Sequence, residues 1–177
     1  MTGMKTFLLA FGATAAALIA FAPAASQTSA LKGHNSNAPV DVAADRIEVQ
    51  DRADRAVFSG NVVVRQAELT LTAPRLTVAY SNSGGIEIDR IDGSGGVTVK
   101  SPSETASGQF AIYDIESRLI TLIGNVHLIR GDSNVNGGRL VINLRDGTAV
   151  MDGGAPAGVK SQGGRVTGTF TVPQRRD

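Results

Sequence analysis

His34 and His127 are the only imidazoles in 177 residues, and the chain has no cysteine. A zinc site draws on clustered Cys, His and carboxylate ligands; neither histidine has such company, so no metal site is expected. Asp45, Asp89 and Asp92 each stand near an arginine at the start of an apolar run. That placement suits turn and ion-pair roles better than acid–base catalysis. No Gly-x-Ser-x-Gly elbow, Walker loop or dinucleotide fingerprint occurs. Gly93-Ser94-Gly95-Gly96 is glycine-rich, but it leads into a strand-like run rather than a helix, so it lacks the usual phosphate cradle. These residues argue against an enzyme and require no cofactor. What remains is a recurring cation: Arg46, Arg75, Arg139 and Arg165, with Gln109 in the same slot. A guanidinium donates in pairs to phosphate or carboxylate. The same arginines could instead be solvent-facing charges that blunt strand edges.

The arginine slots belong to a repeat. The module small–x–Arg–apolar–x–apolar occurs at Ala44 to Val49, Ala73 to Val78 and Gly137 to Ile142. Weaker copies sit at Ser107 to Ile112 and Gly163 to Gly168. Positions 46, 75, 109, 139 and 165 are 29, 34, 30 and 26 residues apart. A second module falls between them: Gly60-Asn61-Val62, Gly95-Gly96-Val97 and Gly124-Asn125-Val126. A near-fixed period of this size means stacked supersecondary units.

Within each repeat the apolar spacing is two, not 3.6. Leu69-Thr70-Leu71-Thr72, then Leu76, Val78 and Tyr80, then Val97-Thr98-Val99 all alternate. Alternate strand side chains point to opposite faces. Turn residues interrupt at 51–54, 81–85, 101–107, 131–138 and 146–147. Three strands per repeat give about 16 short strands in an all-β chain. No later stretch carries a helical stripe. Leu119 to Ile123 and Phe110 to Tyr113 are apolar on both faces. Two packed sheets with a loop over one face would account for them, as would a lined groove for an apolar ligand.

The first residues read as an address. Lys5 precedes an uncharged, mostly apolar run from Phe7 to Phe21, followed by small-x-small cleavage candidates at Ala22 to Ser26. The run is at or below the length a membrane span needs, so a cleaved signal peptide is expected over residues 1–25. A patternless polar leader follows at 26–38, one β-domain at 39–173, and a short tail at 174–177. Removing Lys5 leaves 16 basic against 16 acidic side chains, interspersed. That balance offers no basic patch for nucleic acid.

The segments Pro39 to Arg46, Phe58 to Val64, Ile91 to Gly95, Leu122 to Val126 and Asp132 to Gly137, in that order, resemble the LptA/OstA-like family of lipopolysaccharide-transport proteins. The resemblance covers about residues 39 to 153. It implies an open, V-shaped antiparallel β-jellyroll and a periplasmic carrier for lipopolysaccharide. It implies acyl chains held in an apolar groove at Val40, Val42, Ile47, Val99, Tyr113 and Ile115. It also implies a bridge. One end meets an inner-membrane export complex through an LptC-like bitopic component. The other meets an outer-membrane translocon through an LptD-like N-terminal domain, and copies join head to tail. The edge strands expected to pair with partners carry Val40, Val42 and Val49 at one end and Val166, Phe170 and Val172 at the other.

A lipid cannot cross a water-filled compartment bare. Each exposed CH₂ costs roughly 0.8 kcal/mol, so one chain of about a dozen carbons costs on the order of 10 kcal/mol. An apolar groove would supply that shelter, and the driving force would come from a partner, since no nucleotide motif is present. The competing reading is an exported structural or adhesive β-solenoid with a dry core and no lipid ligand.

Overall fold

The computed structural model describes residues 34–82, 84–160 and 163–171. The expected signal peptide, the first part of the leader, Val172 and the tail at 174–177 lie outside the described residues. The described chain forms β1 (Asp41–Ala43), β2 (Arg46–Gln50), β3 (Arg55–Gln66), β4 (Leu69–Ser81), β5 (Glu87–Lys100), β6 (Glu104–Asp114), β7 (Leu119–Arg130), β8 (Ser133–Asn143), β9 (Thr148–Asp152) and β10 (Thr167–Thr169). A single 3-10 turn, Asp51–Ala53, joins β2 to β3. The strands make one sheet in the order β1-β3-β4-β5-β6-β7-β8-β10, with β2 also on β3 and β9 also on β8. Every pairing is antiparallel, which is the order of a jellyroll and not of a parallel solenoid.

The central strands β3 to β8 run 11 to 14 residues each. Their length corrects the expectation of about 16 short strands to ten among the described residues. The small-residue modules bend the strands instead of ending them. At Gly60-Asn61, Gly95-Gly96 and Gly124-Asn125 all six residues have positive φ, from 44° to 99°. The ladders change register there. An extra residue at such a bulge bends the strand and increases its twist, and Gly and Asn tolerate the left-handed backbone that it needs. The arginine modules lie opposite: Arg75 pairs with Ser59 and Ser94, and Arg139 with Ile123.

These bends fall at one level and form a crease that divides the sheet into two arms. The first arm holds β2, β9 and residues 55–59, 75–81, 87–94, 110–114, 119–123 and 139–143. The second holds β1, β10 and residues 62–66, 69–73, 97–100, 104–108, 126–130 and 133–137. The inward face changes phase at the crease. In β4, Leu69, Leu71 and Ala73 are buried before it and Leu76, Val78 and Tyr80 after it. Both arms thereby turn apolar side chains toward one shared core, including Val62, Leu71, Val97 and Val126 from the second arm and Leu76, Ile120, Leu122 and Leu140 from the first. Counting each half of the six bent strands separately returns the sixteen segments that alternation suggests.

Part of the leader packs on the domain. Its described part, residues 34–38, is fastened to the domain: the His34 side chain is buried and hydrogen-bonded to Gln66 and Glu68.

The crease predicts unequal costs for glycine replacement. At Gly124, φ is +83° and an added Cβ would lie 2.7 Å from Val159 Cγ1 and 2.8 Å from Gln109 Oε1. Gly124→Ala should destabilise the domain by about 1–3 kcal/mol in urea unfolding. Gly84→Ala, with nothing within 4 Å, should change stability by less than about 0.5 kcal/mol.

Candidate functional site

The space between the arms is the one place where alternation from every central strand converges. Its middle is packed shut: Leu76, Ile120 and Leu122 have no exposed surface. Its two ends are not. Beneath β1 and β2 lies an apolar hollow of about 390 Å³, lined among others by Val40, Val42, Val49, Phe58, Val78 and Ile88. Beneath β9 and β10 a second hollow of about 390 Å³ is lined by Leu128, Val135, Leu140, Ala149, Met151 and Phe170, with Arg130 at its wall. Each hollow forms because the short terminal strands leave the facing arm without a full partner layer.

The residues expected to line a groove do not share one surface. Val40 and Val42 line the hollow at the β1–β2 end. Val99 and Tyr113 lie in the closed core at 3% and 2% exposure. Ile115 is half-buried against that core, while Ile47 is 56% exposed and is not among the residues lining the hollow. Among the expected edge residues, Val49 lines the hollow although it is 56% exposed, and Val166 and Phe170 are 43% and 57% exposed. Val172 lies outside the described residues. Tyr80, Met151 and Leu128 line hollows without having been singled out by sequence. Their signal was present: each occupies an inward slot of an alternating strand.

Polar groups mark the side opposite the crease. Gln66 occupies an inward slot after Val62 and Val64 and is only 2% exposed. The Tyr113 hydroxyl donates to Gln66 Oε1 at 2.8 Å, joining the first arm to the second. Gln66 Nε2 donates to the carbonyl oxygens of Ser36 and Ala38 at 2.9 and 3.0 Å. Burial pushes the Tyr113 phenol above its ordinary value, against smaller opposing effects of the Ser36 hydroxyl and the Arg118 charge. At the other hollow, Arg130 donates to Glu104 Oε2 through Nη2 at 2.7 Å and Nε at 3.0 Å, and the Glu104 side chain is 4% exposed.

The recurring arginines point away from the interior. Arg46, Arg75 and Arg139 are exposed on the outer face beside the crease. Arg46 faces Glu48 at 3.8 Å and Arg139 faces Asp152 at 3.5 Å. Exposed pairs like these contribute little stability. Gln109 keeps the same level on β6, and Arg165 lines a shallow polar groove with Asn125, Asn136 and Thr167. His127 is hydrogen-bonded to Asn136. Among the described residues, no group of three or more His, Cys, Asp or Glu could hold a metal ion.

An open two-layer antiparallel jellyroll, with an apolar interior and, among the described residues, free strand edges at both ends, defines a class of fold. A family model described as LptA/(LptD N-terminal domain) LPS transport protein matches residues 41–148, and the chain belongs to that family. Its members are non-enzymatic transport proteins. Over 154 residues the chain is 33% identical to an uncharacterized protein of Rhizobium meliloti, covering 81% of this chain and 83% of that one. Over 150 residues it is 27% identical to the lipopolysaccharide export system protein LptH of Pseudomonas aeruginosa, covering 82% of each. The crystal structure of LptH, described as the LptA-homologous periplasmic component of the lipopolysaccharide transport device, aligns with a TM-score of 0.70. At 20% identity it covers 78% of this chain and 99% of that one.

Two predictions follow from the polar groups. Arg130→Ala leaves the buried Glu104 carboxylate without this partner and should cost about 3 kcal/mol in urea unfolding. For Tyr113, a folded-state value raised by burial means stability present below pH 10.0, the ordinary value, and lost as pH rises through the folded value. Tyr113→Phe cannot ionise. The stability gap between parent and variant should therefore shrink above about pH 10, when measured by urea unfolding against pH.

Proposed function

We propose that the chain is a periplasmic carrier that shelters lipopolysaccharide acyl chains between its two arms. In this reading it bridges inner- and outer-membrane components during transport to the outer membrane. The observation that carries this reading is an apolar interior with a hollow at each end, in a chain belonging to a lipopolysaccharide-transport family. Val40 and Val42 would receive acyl chains at one end, and Val99, Tyr113 and Ile115 would meet them deeper in. Ile47, paired with Phe58 and on the same face of β2 as Val49, would extend this lining at the exposed end of the hollow.

The free edges support a role as connectors. Among the described residues β1 and β2 pair only with β3, and β9 and β10 only with β8. Unpaired edges invite strand addition through main-chain hydrogen bonds. The β1–β2 end would take an LptC-like inner-membrane partner, and the β9–β10 end an LptD-like N-terminal domain or another copy. Such head-to-tail contacts propagate unless capped. The interior offers acyl chains roughly what a bilayer offers, so the carrier lowers the cost of crossing water without setting direction.

Photo-crosslinking tests the reading. A photoreactive residue at Val42 or Met151 should capture labelled lipopolysaccharide, and one at Arg75 on the outer face should not. Equal capture at all three positions, or none at Val42 and Met151, would remove the interior as the lipid path. The ligand-free structural reading predicts no capture anywhere.

A further inference from the structure

We propose that residues 34–38 are a strap that holds the two arms together along the side opposite the crease, so that its release controls access to the interior. The inference rests on the interior being the lipid path, and it concerns how that path opens. The hydrogen bonds place it there. Gln66 and Glu68 stand at the β3–β4 turn of the second arm; Tyr113 and Arg118 stand at the β6–β7 turn of the first. The strap touches both. His34 Nδ1 lies 3.1 Å from Glu68 Oε1, and Nε2 lies 3.2 Å from Gln66 Oε1. Gln66 Nε2 binds the strap carbonyls of Ser36 and Ala38. On the other arm, Arg118 Nη2 donates to Asn37 Oδ1 at 3.2 Å. Gln66 Oε1 also accepts from the Tyr113 hydroxyl across the gap.

The packing makes parting of the arms necessary. With Leu122 and Ile120 at zero exposure, a chain cannot reach Val99 or Tyr113 unless the arms part beside them. The crease fixes one side of the interior, so parting must occur at the other, where residues 34–38 lie.

The chemistry makes the strap releasable. Gln66 is held with its amide toward two carbonyl oxygens, so its Oε1 can only accept, as can the Glu68 carboxylate. A neutral imidazole donates to just one of these two acceptors. Arg118 and Asn37 are exposed or half-buried, where water replaces their contact at little cost. The strap is therefore a set of individually modest bonds laid across a tightly packed core, rather than part of that core.

Absence of cysteine makes the arms directly measurable. Spin labels at Ser103→Cys and Glu116→Cys sit on exposed turns of the second and first arm. Pulsed electron–electron double resonance on the chain without its signal peptide should give one narrow distance distribution. In Tyr113→Phe and in His34→Ala a longer component should appear. Binding of the apolar dye N-phenyl-1-naphthylamine should rise about three- to tenfold, the factor expected for one lost hydrogen bond. Unchanged distances and dye binding in variants that unfold cooperatively would overturn the strap. If Tyr113→Phe does not fold, His34→Ala carries the test, since it changes only the strap. Variants that open but capture no lipopolysaccharide would uphold the strap while removing the transport reading.

Discussion

Everything in this molecule depends on six strands bending at the same level. A flat antiparallel sheet of this length would present one apolar face along its full extent with nothing to cover it. Bulges at Gly60-Asn61 of β3, Gly95-Gly96 of β5 and Gly124-Asn125 of β7, all with positive φ, turn the sheet through the crease and bring the two halves of that face together. Burial of apolar surface then holds the arms shut at roughly 25 cal/mol per Å² removed from water. The arginines at the crease follow from the same geometry. They occupy the outward slot opposite each bulge, where a charge stays hydrated and cannot enter the core.

The same folding leaves the ends incomplete. β1, β2, β9 and β10 are only three to five residues long, too short to seal the interior, so a hollow persists beneath each pair. Unpaired edges and apolar hollows thus occur at the same two places. A partner strand added at either edge would extend a wall of the interior as well as the sheet. Continuity of an apolar path across joined copies would need no shape-specific contacts, because short aliphatic linings suit mobile acyl chains.

The sequence carried much of this. Period-two alternation identified the strands, and the two repeating modules marked the level at which they bend. What alternation could not give was the meaning of the interruptions. A Gly-Asn pair reads equally as a turn or as a bulge, and the expectation of three short strands per repeat left no place for long strands bent at their middle. The site suffered from the same ambiguity. Each bulge changes which parity faces inward, and so does the short break between β1 and β2, so even-numbered Val40 and Val42 and odd-numbered Val49 line the same hollow. Tyr113 and Val99 were marked as inward only by the family resemblance, and whether an inward residue meets a partner side chain or open space depends on the opposing arm. The strap was illegible because His34 belongs to a polar stretch with no period. The one trace of it was Gln66, a polar residue in an inward slot.

The central claim is that acyl chains occupy the space between the arms. Methyl-labelled protein bound to lipopolysaccharide tests it through nuclear Overhauser contacts between acyl methylenes and individual side chains. The account predicts contacts to Val42, Leu122, Val126 and Met151, which face the interior, and none to Ile112 or Val150 on the outer face. Contacts confined to the outer face, or an interior whose methyl signals ignore the lipid, would contradict it.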